Sequence, residues 1–222
     1  MIHKILSSAD CYKQRADDNI RFYVYYEVMR KAKEIQFGSI YTPQGALRDV
    51  MRNPNLDLMM NLFHIPRAYA VSGFGDWDVG RHSACTAFIA LYWSRLRRMP
   101  LPRRNEFVVL ALLHDLHEAV TGDILPFFKT IETKTAIAEI QLSFLKSLNL
   151  AAPEALRADI KVADMTAFLY EIKQSSAAAL QRPKVKWLKR IYRRQRRELI
   201  ETARTFKISA GLTARLLREL EL

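Results

Sequence analysis

Glycine is scarce in this chain, cysteine is nearly absent, and no apolar stretch is long enough to cross a membrane. Seven glycines among 222 residues, with half of the residues hydrophobic, suit an all-α globule better than a sandwich or a Rossmann sheet. There is no G-x-G-x-x-G, no G-x-x-x-x-G-K-[ST] and no alternation of strands with helices, so the common nucleotide-binding folds lose support. The two cysteines, Cys11 and Cys85, form neither a disulfide framework nor a metal-ligand spacing, which points to free thiols in a reducing, cytoplasmic setting. Nowhere do about eighteen apolar residues run together without charge, and the opening Met-Ile-His-Lys-Ile-Leu-Ser-Ser has no long apolar region and no cleavage pattern, so neither a membrane span nor an export signal is expected.

What is present is helical signal almost throughout. The length supports one substantial core, and no repeat, low-complexity tract or linker divides it, so a single domain over 1–222 is predicted. Helices are expected from Arg15 to about Gln36, from Thr42-Pro43 to before Asn53, and from Asn55 to Phe63. Further helices should run over Ser83–Arg98, Asn105–Val120, Thr133–Asn149, Pro153–Leu180, Val185–Lys207 and Thr213–Leu220. Tyr69 to Gly80 holds three of the seven glycines and reads as an irregular loop of the kind that carries function.

The net charge of +12 is local. From Arg182 to Arg197 nine of sixteen residues are Lys or Arg with no acid among them, and without that segment the chain would carry +3. Val185, Trp187, Leu188, Ile191 and Tyr192 interleave with the cations at helical spacing, which describes a basic amphipathic helix. A polyanion-binding face and a solvated face both fit. The apolar seam favours solvation with packing, within or between subunits, so nucleic acid is not the expected partner and a homodimer is compatible. A second basic cluster, Arg95 to Arg104, contains Pro100 and Pro102 and reads as an interhelical connection.

Chemistry concentrates where polar residues interrupt apolar runs. Seven consecutive apolar residues, Phe107 to Leu113, lead into His114-Asp115; His82 precedes the apolar Ala84–Trp93 segment; and Asp164 lies on the apolar stripe between Ile160 and Phe168. Buried polar groups need partners, and a divalent ion is the natural partner for such a set, with a cap or buried salt bridge as the alternative for Asp164. If Asn105–Val120 is one helix, Glu118 falls one turn beyond His114 on the same face and supplies a spare carboxylate. Two imidazoles and two carboxylates suit one Mn, Co, Fe, Zn or Mg ion and leave positions open for water and substrate.

The ordered series His82, His114-Asp115, Glu118, Gly122-Asp123 and Asp164 resembles the HD-domain metal-dependent phosphohydrolases. Three strings are similar to the bacterial 5′-deoxyribonucleotidases and their phage relatives: Val79-Gly80-Arg81-His82-Ser83, the run Ala111 to Ile124 (ALLHDLHEAVTGDI), and Val162-Ala163-Asp164. The resemblance covers about Ile65 to Leu180. It implies an HD-type helical core over about 65–180, outside which the helical extension over 1–64 and the basic helices over 181–222 rest on their own sequence pattern. It further implies metal ligation by His82, His114, Asp115 and Asp164, water-side roles for Glu118 and Asp123, and substrate contacts from Arg67 and Lys129. Ala68 stands where the bacterial enzymes carry tryptophan, which leaves the choice of deoxyribose or ribose open.

The activity so implied is hydrolysis of the 5′-phosphate of a (deoxy)nucleoside monophosphate, with a deoxynucleoside triphosphate triphosphohydrolase as the alternative and a nucleic-acid-binding protein on the same scaffold as the reading from another class. A divalent ion would polarise a phosphate oxygen and acidify water, Glu118 or Asp123 would orient that water, and Arg67 and Lys129 would neutralise the phosphate. His117 reads as a wall residue or a proton donor, and Trp77 and Tyr69 as loop aromatics that pack on the domain or stack on a base.

Overall fold

The computed structural model describes residues 55–67, 76–125, 129–151, 154–178 and 185–222, with only the backbone described at 176–178 and 185–187. The expected helices before Asn55, most of the glycine-bearing loop with Ala68 and Tyr69, Cys11, and the segment 126–128 lie outside them. All described residues belong to the compact unit Met51–Leu222. They are helical with no strand: α1 Leu56–Met60, α2 Val79–Leu96, α3 Leu101–Leu112, α4 Glu118–Thr121, α5 Ile131–Ser147, α6 Arg157–Ala178, α7 Val185–Thr205 and α8 Ala210–Glu219, with 3-10 turns at Asn61–His64 and Glu154–Leu156. The all-α expectation holds.

Each start has a local cause. Asn55 caps α1 by accepting from Leu58 N at 2.8 Å, Asp78 caps α2 by accepting from Arg81 N at 2.7 Å, and Thr130 caps α5 by accepting from Thr133 N at 3.2 Å. The Asp78 cap starts α2 four residues before the expected Ser83, which puts His82 on the helix's first turns. Just upstream, Arg67 N donates to Trp77 O at 2.8 Å and Val79 N to Ile65 O at 3.0 Å, an antiparallel bridge that sets Arg67 beside the start of α2. Gly80 is needed there because a Cβ would lie 2.6 Å from the Phe63 ring.

The core lies where α2, α3, α6, α7 and α8 meet. Trp93, Phe107, Leu110, Ala111, Val162, Leu169, Leu199 and Leu216 are buried in it, each large side chain contributing about 1.5–3 kcal/mol. Its polar edge is satisfied: Trp93 Nε1 donates to Asp159 Oδ1 at 2.7 Å, and Arg97 Nε meets the same oxygen at 3.2 Å. Trp77 packs edge-on against Tyr170 and beneath Arg81, whose guanidinium lies 4.5 Å from its ring centroid.

One expected helix is broken. Asn105–Val120 is two helices, α3 ending at Leu112 and α4 beginning at Glu118, with Leu113 to His117 in a turn. An unbroken helix would have His117 N donating to Leu113 O. Instead the Gln141 amide of α5 occupies both ends of that bond, its Nε2 donating to Leu113 O at 2.7 Å and its Oε1 accepting from His117 N at 3.0 Å. The shared-face argument for His114, Asp115 and Glu118 on a single helix is therefore corrected: the turn carries the two ligand candidates, and Glu118 opens the next helix.

Candidate active site

Three elements bring the four predicted ligands together. α2 supplies His82, the α3–α4 turn supplies His114 and Asp115, and α6 supplies Asp164. His114 Nε2 lies 3.1 Å from Asp115 Oδ2, and His82 Nε2 lies 3.3 Å from both His114 Nε2 and Asp164 Oδ1. The wider pairs are His82 Nε2 to Asp115 Oδ2 at 3.7 Å and His114 Nε2 to Asp164 Oδ1 at 3.9 Å. Donors about 2.0–2.2 Å from one ion stand roughly 3.0–3.5 Å apart in tetrahedral or octahedral arrangement, so His82, His114 and Asp164 are grouped closely enough for a single ion, and Asp115 stands beside them against His114 while also grouping with His117 and Glu118.

The chemistry of the donors makes the same case. His114 Nδ1 donates to Ala111 O at 2.8 Å, and His82 Nδ1 is hydrogen-bonded to Glu171 Oε1. With both Nδ1 atoms committed, the two Nε2 atoms face each other and the carboxylates of Asp115 and Asp164, an arrangement suited to a cation among them. A divalent ion fits, with Glu171 fixing the His82 tautomer.

Glu171 is the residue that the sequence reading missed. It is fully buried and also accepts from Arg67 Nε at 3.2 Å. Arg67 reaches Asp115 Oδ2 at 3.5 Å and Asp164 Oδ1 at 4.0 Å, so the structure places it at the rim of the ligand set and tied to its carboxylates. Lys161 holds the other oxygen of Asp164 at 2.7 Å.

These charges set the protonation states. Burial opposes ionisation of Asp115 and Asp164, yet His114, Arg67 and His82 hold Asp115 far below the usual carboxylate range, and Lys161, His82 and His114 do so for Asp164. Burial and Arg67 pull His82 down, and Glu171 with Asp164 more than offsets them, so its pKa is raised. Glu118 goes the other way. Burial, then Asp115 and Asp123, push it up to about 9, against the pull of Arg67 and Lys129. Its Oε2 has no hydrogen-bond partner, nor has the buried Nε2 of His117, which lies 3.9 Å from Glu118 Oε1. Burial, Lys129 and His114 lower the His117 pKa, and Gln141 Oε1 lies 3.3 Å from its Nδ1, so His117 is neutral and presents Nε2 as an acceptor. Asp123 and Lys129 thus act on Glu118 electrostatically, and Asp123 follows Gly122, whose φ of 70° ends α4.

The architecture has a solved counterpart: the HD phosphohydrolase DatZ of cyanophage S-2L, in a structure with dA and one catalytic Zn2+ ion, matches over 75% of this chain and 94% of its own, with a TM-score of 0.54 and 20% sequence identity. The chain has the HD phosphohydrolase fold. No protein-family model matches it, and no curated protein does. No helix among the described residues is long and apolar enough to cross a membrane.

Proposed function

We propose that the protein is a metal-dependent phosphohydrolase that removes the 5′-phosphate of a (deoxy)nucleoside monophosphate in the cytoplasm. One observation carries the reading: His82 Nε2 lies 3.3 Å from both His114 Nε2 and Asp164 Oδ1, and His114 Nε2 lies 3.1 Å from Asp115 Oδ2, beside a buried glutamate with an unpartnered oxygen. His82, His114, Asp115 and Asp164 would hold one divalent ion. When bound, the ion polarises a phosphate oxygen and lowers the pKa of water. The dA and single Zn2+ named with the phage enzyme support a nucleoside-type occupant and a single ion.

The remaining steps belong to side chains. Glu118 Oε2 is free to accept a hydrogen bond from the attacking water, and Asp123 sustains its basicity by like-charge repulsion. The positive charge of a metal ion at Asp115 would bring the Glu118 carboxyl down from its raised value toward the carboxylate form that accepts a proton. Arg67, anchored through Nε to Glu171, and Lys129 add positive charge opposite the phosphate.

The test is a screen of purified protein with Mn2+, Co2+, Zn2+ and Mg2+ against nucleoside mono-, di- and triphosphates, identifying the phosphate species released. Orthophosphate and a nucleoside from monophosphates support the proposal. Tripolyphosphate released from triphosphates would transfer the same site to triphosphohydrolase chemistry, and activity unchanged by Asp115→Ala would remove the site from the reaction altogether.

A further inference from the structure

Among the described side chains, the expected apolar seam of α7 turns toward the chain, with Ile191 and Tyr192 half-buried. Leu188 is buried against Ile172 of α6, and Leu199 and Ala203 are buried in the main core. What remains outside is charge: Lys189, Arg190, Arg193, Arg196, Arg197 and Arg204 are all exposed. At 100° and 1.5 Å per residue they occupy about 120° of the helix circumference and about 22 Å of its length. Lys189, Arg193 and Arg197 follow at one-turn intervals. The nearest acids stand at its margin, Glu198 paired with Arg194 at 2.8 Å and Glu201 one turn further.

We propose that this face binds the phosphate backbone of a nucleic-acid duplex without sequence preference. A membrane-surface helix must have its apolar face free to enter lipid, and here, among the described side chains, Leu188 and Leu199 are buried and Ile191 and Tyr192 are packed against the chain. A single-strand surface sets aromatic rings among its cations for base stacking; among the described side chains, Tyr192 is half-buried against Ile172 and Leu188, and the exposed Phe206 falls outside the stripe. Adenine is read by Asn or Gln, and Gln195, the one amide of α7, is half-buried on another face. A straight row of six cations, equal to half of the chain's net charge of +12, matches the repeating charge of a duplex backbone.

The test is fluorescence anisotropy of the full-length chain with a labelled 20-base-pair duplex of arbitrary sequence between 50 and 200 mM salt. Neutralising four to six phosphates predicts a log–log slope of about −3.6 to −5.4, or a loss of at least about 150-fold across that range. The triple reversal Arg193→Glu, Arg196→Glu, Arg197→Glu should weaken binding at 50 mM salt by more than about 30-fold and flatten the slope by about 2.7, with its circular dichroism and mononucleotide hydrolysis unchanged. If the reversal fails to fold, glutamine at Arg193, Arg194, Arg196 and Arg197 replaces it. Absence of salt-dependent binding, equal binding by the variants, tighter binding to a single-stranded 20-mer, or binding to phosphatidylserine vesicles in preference to the duplex would each overturn the proposal.

Discussion

Glu171→Gln isolates the contribution of a carboxylate that touches no substrate and ligates no metal. Glu171 takes the His82 Nδ1 hydrogen bond on one oxygen and the Arg67 Nε hydrogen bond, at 3.2 Å, on the other, and it is fully buried. The replacing amide has one acceptor and one donor, so whichever way it turns, either His82 or Arg67 faces an NH2 group. One charge-assisted hydrogen bond is lost, about 1.5–3 kcal/mol. Arg67 keeps Asp115 at 3.5 Å and Asp164 at 4.0 Å, so the cost should stay below the about 3–5 kcal/mol of a buried pair broken outright. We expect folding stability to fall by about 2–3 kcal/mol. Metal affinity should fall 10- to 100-fold, roughly 1.4–2.7 kcal/mol, because an imidazole hydrogen-bonded to a neutral amide is a poorer donor. Competition with a chromogenic chelator for Zn2+ or Mn2+ reads the affinity, and thermal melts with and without metal read the stability. A folded variant that binds the ion as tightly as the parent would refute the assignment of Glu171 as the orienting partner of His82.

Glu118→Ala should keep its metal, by mass spectrometry, and lose about 100- to 10,000-fold in kcat; metal and activity lost in parallel would make Glu118 a ligand. Gly80→Ala should destabilise the fold by about 1–3 kcal/mol, since its Cβ would meet the Phe63 ring at 2.6 Å. Helix propensity alone predicts a gain of about 1 kcal/mol, so a more stable variant would sink that packing argument. In chelator-treated protein, stability should fall as pH rises from 7 to 8.5, by at most about 1.4 kcal/mol per unit for each group. The sign follows from two raised values: Glu118, pushed up to about 9, stays protonated when folded and is ionised when unfolded, and His82 loses its stabilising proton as pH rises through its folded value. Denaturant melts of Glu118→Gln should show a shallower fall than the parent, and an identical one would exclude the Glu118 contribution.

The fold class and the four converging donors were legible because polar residues cut into long apolar runs, a signal that belongs to local sequence. Glu171 was legible in principle. It lies seven residues after Asp164, two helical turns along the same face, in a stretch otherwise buried at Ala167, Leu169 and Ile172. The break at Leu113 was not, since neither glycine nor proline marks it and the apolar rhythm runs on; it is made by Gln141, 28 residues downstream of Leu113. Arg67 was reached only through the family resemblance, and its ties to Glu171 and Asp115 come from tertiary placement alone.

The Gln141 clasp bears no charge. It fixes the turn carrying His114 and Asp115 through neutral hydrogen bonds to Leu113 and His117, which dissolved ions leave largely untouched. Asp164 is steadied differently, by Lys161, whose side chain is 53% exposed and open to screening. The donor set therefore has an insulated half and a half open to the surrounding electrolyte, and a change in that electrolyte is felt at Asp164 before it is felt at the turn.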